Sequence, residues 1–97
     1  MKLSARGRNI LARVSKVQPK VNGSGSYRTE LVLLSDGVIG VKTTWLHEDG
    51  HYEHDTGWKI KARLKPKLRN PVTQETIDSW VNGYTERGWT CDKLILV

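Results

Sequence analysis

Between residues 58 and 65 the chain alternates without interruption. Trp58, Ile60, Ala62 and Leu64 fall on one side, and Lys59, Lys61, Arg63 and Lys65 on the other. A period of two with one apolar and one charged set is the pattern of a β-strand that has one face on a core and one in water. Pro66 stops the run, and Lys67 and Arg69 continue the positive series beyond it. Like charges two residues apart on a strand repel, and an anionic partner relieves that repulsion. The same row of cations can also keep a strand soluble or blunt an exposed sheet edge.

The length allows one domain, residues 1–97, with a single modest core. There is no Phe, so the four Trp and three Tyr are expected to supply much of the buried bulk. The net charge of +6 favours anionic partners: nucleic acid, an acidic membrane surface or an acidic protein. The charge is uneven. Glu48, Asp49, Glu53 and Asp55 are four of the ten acids and share one short loop, which leaves a strongly basic remainder. Cys91 is the only cysteine, so neither an internal disulfide nor a thiolate metal cluster can form within one chain. No window approaches the roughly 18 consecutive apolar residues of a membrane span. The first twenty residues lack the apolar segment of a secretory signal. A soluble chain is expected, with any membrane attachment left to segments outside this sequence.

In order, residues 1–9 read as a basic lead-in and 10–17 as a first strand. Pro19 and the Asn22-Gly23-Ser24-Gly25 run mark a flexible connection. Residues 27–34 form a second strand, Asp36-Gly37 a tight hairpin turn and 38–46 a third strand. The segment 47–57 is polar loop, and the basic strand is the fourth. Thr73 is placed as an N-cap. Ile77, Trp80, Val81 and Tyr84 then recur as the apolar stripe of a helix that Gly83 weakens and Gly88 ends. Residues 89–97 close the chain as a fifth strand. The expected fold is mainly β with one helix: a small five-stranded OB-like barrel, the helix lying between strands 4 and 5. The usual OB helix lies between strands 3 and 4 instead.

Chemistry-bearing motifs are few. The loop of residues 47–55 holds His47, His51 and His54 with its four carboxylates, types that bind divalent metals. His47 and His51 have useful ligand spacing on a helix, however, and Gly50 lies between them, so an exposed hairpin loop is the expectation, without a metal. Cys91 alternates with Trp89 and Ile95 and reads as a small buried hydrophobe. No nucleophile–base motif or phosphate-cradling glycine loop is present, so neither an enzyme nor a cofactor nor a small-molecule substrate is expected. Trp58 and Trp80 are assigned to the core. Tyr27, Trp45, Tyr52 and Trp89 lie near strand ends or loops, where a ring can stack on a base; most of the aromatics are expected to be buried.

Several short stretches resemble one family. Leu64-Lys65-Pro66, Leu68-Arg69-Asn70-Pro71, Ile77-Asp78-Ser79-Trp80, Tyr84 and Arg87-Gly88-Trp89 are similar in order and kind to the extracytoplasmic, OB-like domain of the ComEC/Rec2 competence DNA-uptake channels. The match departs from that pattern where the family has Gly-Gly after Asn-Pro; here Val72-Thr73-Gln74 follows, and Ile77 stands where Phe is usual. The resemblance implies DNA handling on the periplasmic face of an inner membrane; a free-standing relative would be cytoplasmic. The expected activity is sequence-independent binding of nucleic acid, with single-stranded DNA favoured. Lys59, Lys61, Arg63, Lys65, Lys67 and Arg69 are the expected contacts, extended by Arg13 and Arg28. The alternatives are a protein-interaction or assembly domain that uses the basic strand, and a free-standing single-strand DNA or RNA binder.

Overall fold

The computed structural model describes residues 9–19, 25–49, 51–69 and 71–94. Most of the expected lead-in, most of the Gly-Ser connection, Asn70 and the end of the last strand lie outside these residues. The elements are β1 (Ile10–Pro19), β2 (Ser26–Leu34), β3 (Val38–Leu46), β4 (Tyr52–Asp55), β5 (Lys59–Arg63), a 3-10 turn (Pro66–Leu68), α1 (Gln74–Thr85) and β6 (Thr90–Leu94). The fold is mainly β with one helix, as the periodicities require.

The strands form one antiparallel sheet in the order β4-β3-β2-β1-β6, with β5 also on β3. Two features of the expected barrel are corrected. The loop before the basic strand contains a further strand, β4, so the described residues form six strands and the helix falls between the fifth and sixth. The sheet also stays open: β5 pairs with β3 and β6 with β1, and among the described residues no ladder joins β5 to β6. Strands β4 and β5 share one edge of β3 in series, β4 against Thr44–Leu46 and β5 against Val38–Val41. Thr56 between them stays on that edge, its N–H donating to the Thr43 carbonyl at 3.0 Å and its Oγ1 accepting from the Thr43 N–H at 3.2 Å.

The hairpin turn forms where Asp-Gly placed it. Gly37 has φ +81°, its N–H donates to the Leu34 carbonyl at 2.9 Å, and Asp36 Oδ1 accepts from the Val38 N–H at 3.2 Å. The helix begins as the N-cap rule requires, with Thr73 Oγ1 accepting from the Thr76 N–H at 3.3 Å. It runs through Gly83 to Thr85. Gly88, at φ +92°, follows its end.

Buried apolar residues form two clusters. Ile77, Val81 and Val72 pack with Leu11, Ala12, Leu33 and Ile39, and Leu64, Trp80 and Cys91 lie against them. Val32, Leu34 and Val38 form the second, flanked by Ile10, Trp58 and Ile60. Cross-strand neighbours share a face, so the register puts the second cluster on the side of the sheet opposite α1. The largest fully buried side chains are Leu31, Leu33, Ile77 and Val14. The core is therefore aliphatic. The four Trp residues are half-buried at its margins, and Tyr52 is exposed, which corrects the expectation that most rings are buried. Small branched side chains fill the space between a sheet and a short helix; the larger rings cap it.

Candidate nucleic-acid interface

The basic strand is an edge strand, because among the described residues β5 pairs with β3 alone. Its register is Val38↔Arg63, Ile39↔Ala62, Gly40↔Ile60 and Val41↔Lys59, with a β-bulge that leaves Lys61 as the extra residue. The bulge breaks the alternation seen in the sequence. Lys59 and Arg63 are four apart in β5, but their partners Val41 and Val38 are three apart in β3. They therefore fall on opposite faces of the sheet. The apolar set divides in the same way. Trp58 and Ile60 pack on the cluster away from the helix, Leu64 packs on the helix-side cluster, and Ala62 is exposed.

Lys59, Lys61, Arg63, Lys65 and Lys67 are exposed, while Arg69 is half-buried. Among the described residues, no carboxylate lies within ion-pair distance of any of the six. Arg69 lies across the hairpin turn, where a Cβ on Gly37 would overlap its side chain. The Leu64 N–H donates to the Gly37 carbonyl at 2.9 Å, which holds the end of β5 against that turn. Lys61, Arg63, Lys65 and Lys67 thus run along the edge and past its end, with Lys59 turned to the helix side.

Arg13 and Arg28 do not extend this edge. Arg13 stands opposite Val32 and Arg28 opposite Thr44, on the face away from the helix. There they share a polar cleft of about 430 Å³ with Ser15, Glu30, Lys42 and Asp92. Glu30 is buried at 6% exposure between two cations, its Oε1 3.5 Å from Arg28 Nε and 3.7 Å from Lys42 Nζ. Lys42 also lies over the Trp58 ring, 5.0 Å from its centroid. Lys42 and Glu30 were missed from the sequence. Their only signal is that Arg13/Ser15, Arg28/Glu30 and Lys42/Thr44 each occupy alternate positions of an otherwise apolar strand.

The acidic loop forms the expected exposed hairpin, between β3 and β4. The His47 N–H donates to the His51 carbonyl at 2.8 Å, and the His51 N–H donates to Asp49 Oδ1 at 3.0 Å. That backbone hydrogen bond is the main reason the Asp49 carboxyl is held below its ordinary range; the neighbouring imidazoles of His51 and His47 act in the same direction. His47 Nδ1 lies 3.5 Å from Asp49 Oδ1, His51 Nδ1 also pairs with that oxygen, and the two rings stack at 4.7 Å. The turn brings two imidazoles and a carboxylate, donors of the kinds zinc takes, within 4.8 Å of one another. Sequence spacing alone did not show this. The hydrogen bonds to Asp49 account for the arrangement without an ion. His54, by contrast, stacks on Trp45 at 4.7 Å.

Comparison with protein-family models, curated proteins and solved structures finds no match. No helix among the described residues is long and apolar enough to cross a membrane.

Proposed function

We propose that this domain binds nucleic acid without regard to sequence, gripping the phosphate backbone along the sheet edge with Lys61, Arg63, Lys65 and Lys67. Lys59 and Arg69 stand at the flanks of that band. The observation that carries the reading is the absence, among the described residues, of any carboxylate paired with these exposed cations. Cations left to solvent on an edge attract polyanions, and phosphate contacts fix position without reading bases. The resemblance to the competence channel domain supports single-stranded DNA as the ligand and the periplasmic face as the place.

Assembly through β5 is the second reading, since its outer edge is open to another strand. The bulge at Lys61 and the flanking lysines weigh against it, because both are devices that prevent edge-to-edge pairing. Fluorescence anisotropy of a labelled mixed-sequence single strand of about 20 nucleotides, long enough for several phosphate contacts, tests the proposal. Salt-sensitive binding that Lys61→Glu with Arg63→Glu weakens, with a shallower salt dependence, supports it. A wild-type protein that ignores the oligonucleotide at low salt ends it, and concentration-dependent dimerisation in sedimentation would move the assignment to assembly.

A further inference from the structure

The polar cleft on the sheet face away from the helix is built from three neighbouring strands. Ser15, Glu30 and Lys42 stand in register across β1, β2 and β3, flanked by Arg13 on β1 and Arg28 on β2. Side chains set this way on a ladder have fixed origins, unlike the lysines that follow Pro66. The cleft holds three cations against two carboxylates, and one of those, Asp92, is exposed at its margin.

Its hydrogen bonding is incomplete. Nε of Arg13, Nε of Arg28 and Oε1 of Glu30 are all shielded from solvent, yet none has a hydrogen-bond partner. The approaches of Arg28 and Lys42 to Glu30, at 3.5 and 3.7 Å, are long for charge-assisted hydrogen bonds, which close to about 2.7–2.9 Å. Buried polar atoms are nearly always satisfied, so a cluster of unsatisfied ones in the side chains that line a cleft marks hydrogen bonding that the protein alone does not complete. Glu30, more than nine-tenths buried, already draws Arg28 and Lys42 toward the floor. Arg13 has no ion pair among the described residues. A cationic ligand would have to compete with two resident cations for Glu30. An anion meets an unpaired guanidinium, two further cations and the Ser15 hydroxyl.

We propose that this cleft binds a single phosphate group, with Arg13 as its principal ligand and Arg28, Lys42 and Ser15 completing the cradle. The guanidinium presents its N–H groups as a planar fork that matches two phosphate oxygens at once. Glu30 serves as the positioning residue that holds Arg28 and Lys42 in place. The cleft volume of about 430 Å³ exceeds that of the phosphate alone, which leaves room for the group esterified to it. A free monoester and a nucleic-acid diester both present such a group, and the chemistry of capture is shared. This inference does not depend on the edge strand gripping a polymer.

The test is a titration of the full chain with inorganic phosphate, a nucleoside 5′-monophosphate and a dinucleotide, against chloride at equal ionic strength. It is followed through the Arg Nε–H resonances and through Trp58 emission, which responds to movement of Lys42. Saturable shifts at Arg13 and Arg28 that weaken at least tenfold in Arg13→Gln support the site. Preference for the monoesters assigns it to free phosphate compounds, and preference for the dinucleotide assigns it to the nucleic-acid backbone. Arg13→Lys, which keeps the charge and loses the fork, should retain partial binding and guards against a folding defect in Arg13→Gln. Wild-type protein whose Arg13 resonance moves no further with phosphate than with chloride overturns the inference. The inorganic-phosphate titration on Lys61→Glu with Arg63→Glu should be unchanged, so failure of the edge reading and failure of this one are told apart.

Discussion

Reversing Lys61 and Arg63 to Glu perturbs the proposed interface and little else. Both side chains are exposed and neither has an ion pair among the described residues, so folding stability should change by no more than about 0.5 kcal/mol. The sequence alone offers six cations, which on a single strand corresponds to a slope of log K against log salt of about −4. The fold reduces that number. The bulge turns Lys59 to the other face, and Arg69 packs over Gly37, which leaves the exposed Lys61, Arg63, Lys65 and Lys67 as the four contacts of the proposed band. Four contacts give a slope of about −3, or roughly a fiftyfold loss of affinity as salt rises fourfold. Removing two of them should bring the slope to about −1.4, a loss of roughly sevenfold over the same range. Anisotropy titrations at several salt concentrations, with circular dichroism to confirm the fold, give both slopes. A double variant that keeps the wild-type slope refutes the band. A wild-type slope near −4 that falls on Lys59→Ala would instead show that the bulge does not separate Lys59 from the others.

Other expectations follow from the core, the helix and the acidic turn. Ile77 is fully buried between α1 and the sheet, and Ile77→Ala should cost about 2–5 kcal/mol in urea unfolding, since the cavity adds to the lost transfer energy. Gly83 sits within α1 with open space where a Cβ would project, so Gly83→Ala should stabilise the protein by about 0.5–1 kcal/mol and raise its melting temperature by a few degrees; no gain would mean that the helix is bent there in solution. The Asp49 carboxyl is held below the ordinary carboxylate range, chiefly through the His51 N–H. Its contribution to the turn is therefore complete above the ordinary carboxylate pKa and is lost only as pH falls through the lower folded value. The His51 amide shift, followed by NMR, should titrate with a midpoint below that of an ordinary aspartate, about 3.9; a midpoint in or above the ordinary range removes the hydrogen bond from the argument.

Much of the architecture was legible in the chain because it depends on local rules. Thr73 caps the helix because its hydroxyl reaches an amide three residues on, and Gly37 turns the hairpin because the turn needs positive φ. The apolar stripe of Ile77 and Val81 and the alternation in β5 mark their elements by period alone. The strand β4 was hidden, since Tyr52–Asp55 is short, polar and recognisable only once it lies on the free half of β3.

The site divides along the same line. Local sequence determined that a row of cations would sit on one extended segment, and the unpaired side chains of β5 agree with that. It could not determine which face each would take, because one extra residue at Lys61 shifts every side chain beyond it to the other side of the sheet. Nor could it bring Arg13, Arg28, Glu30 and Lys42 together, which stand on three strands and meet only through ladder register. Periodicity is a property of one strand, and a sequence carries it; register is a relation between strands, and only the folded sheet fixes it.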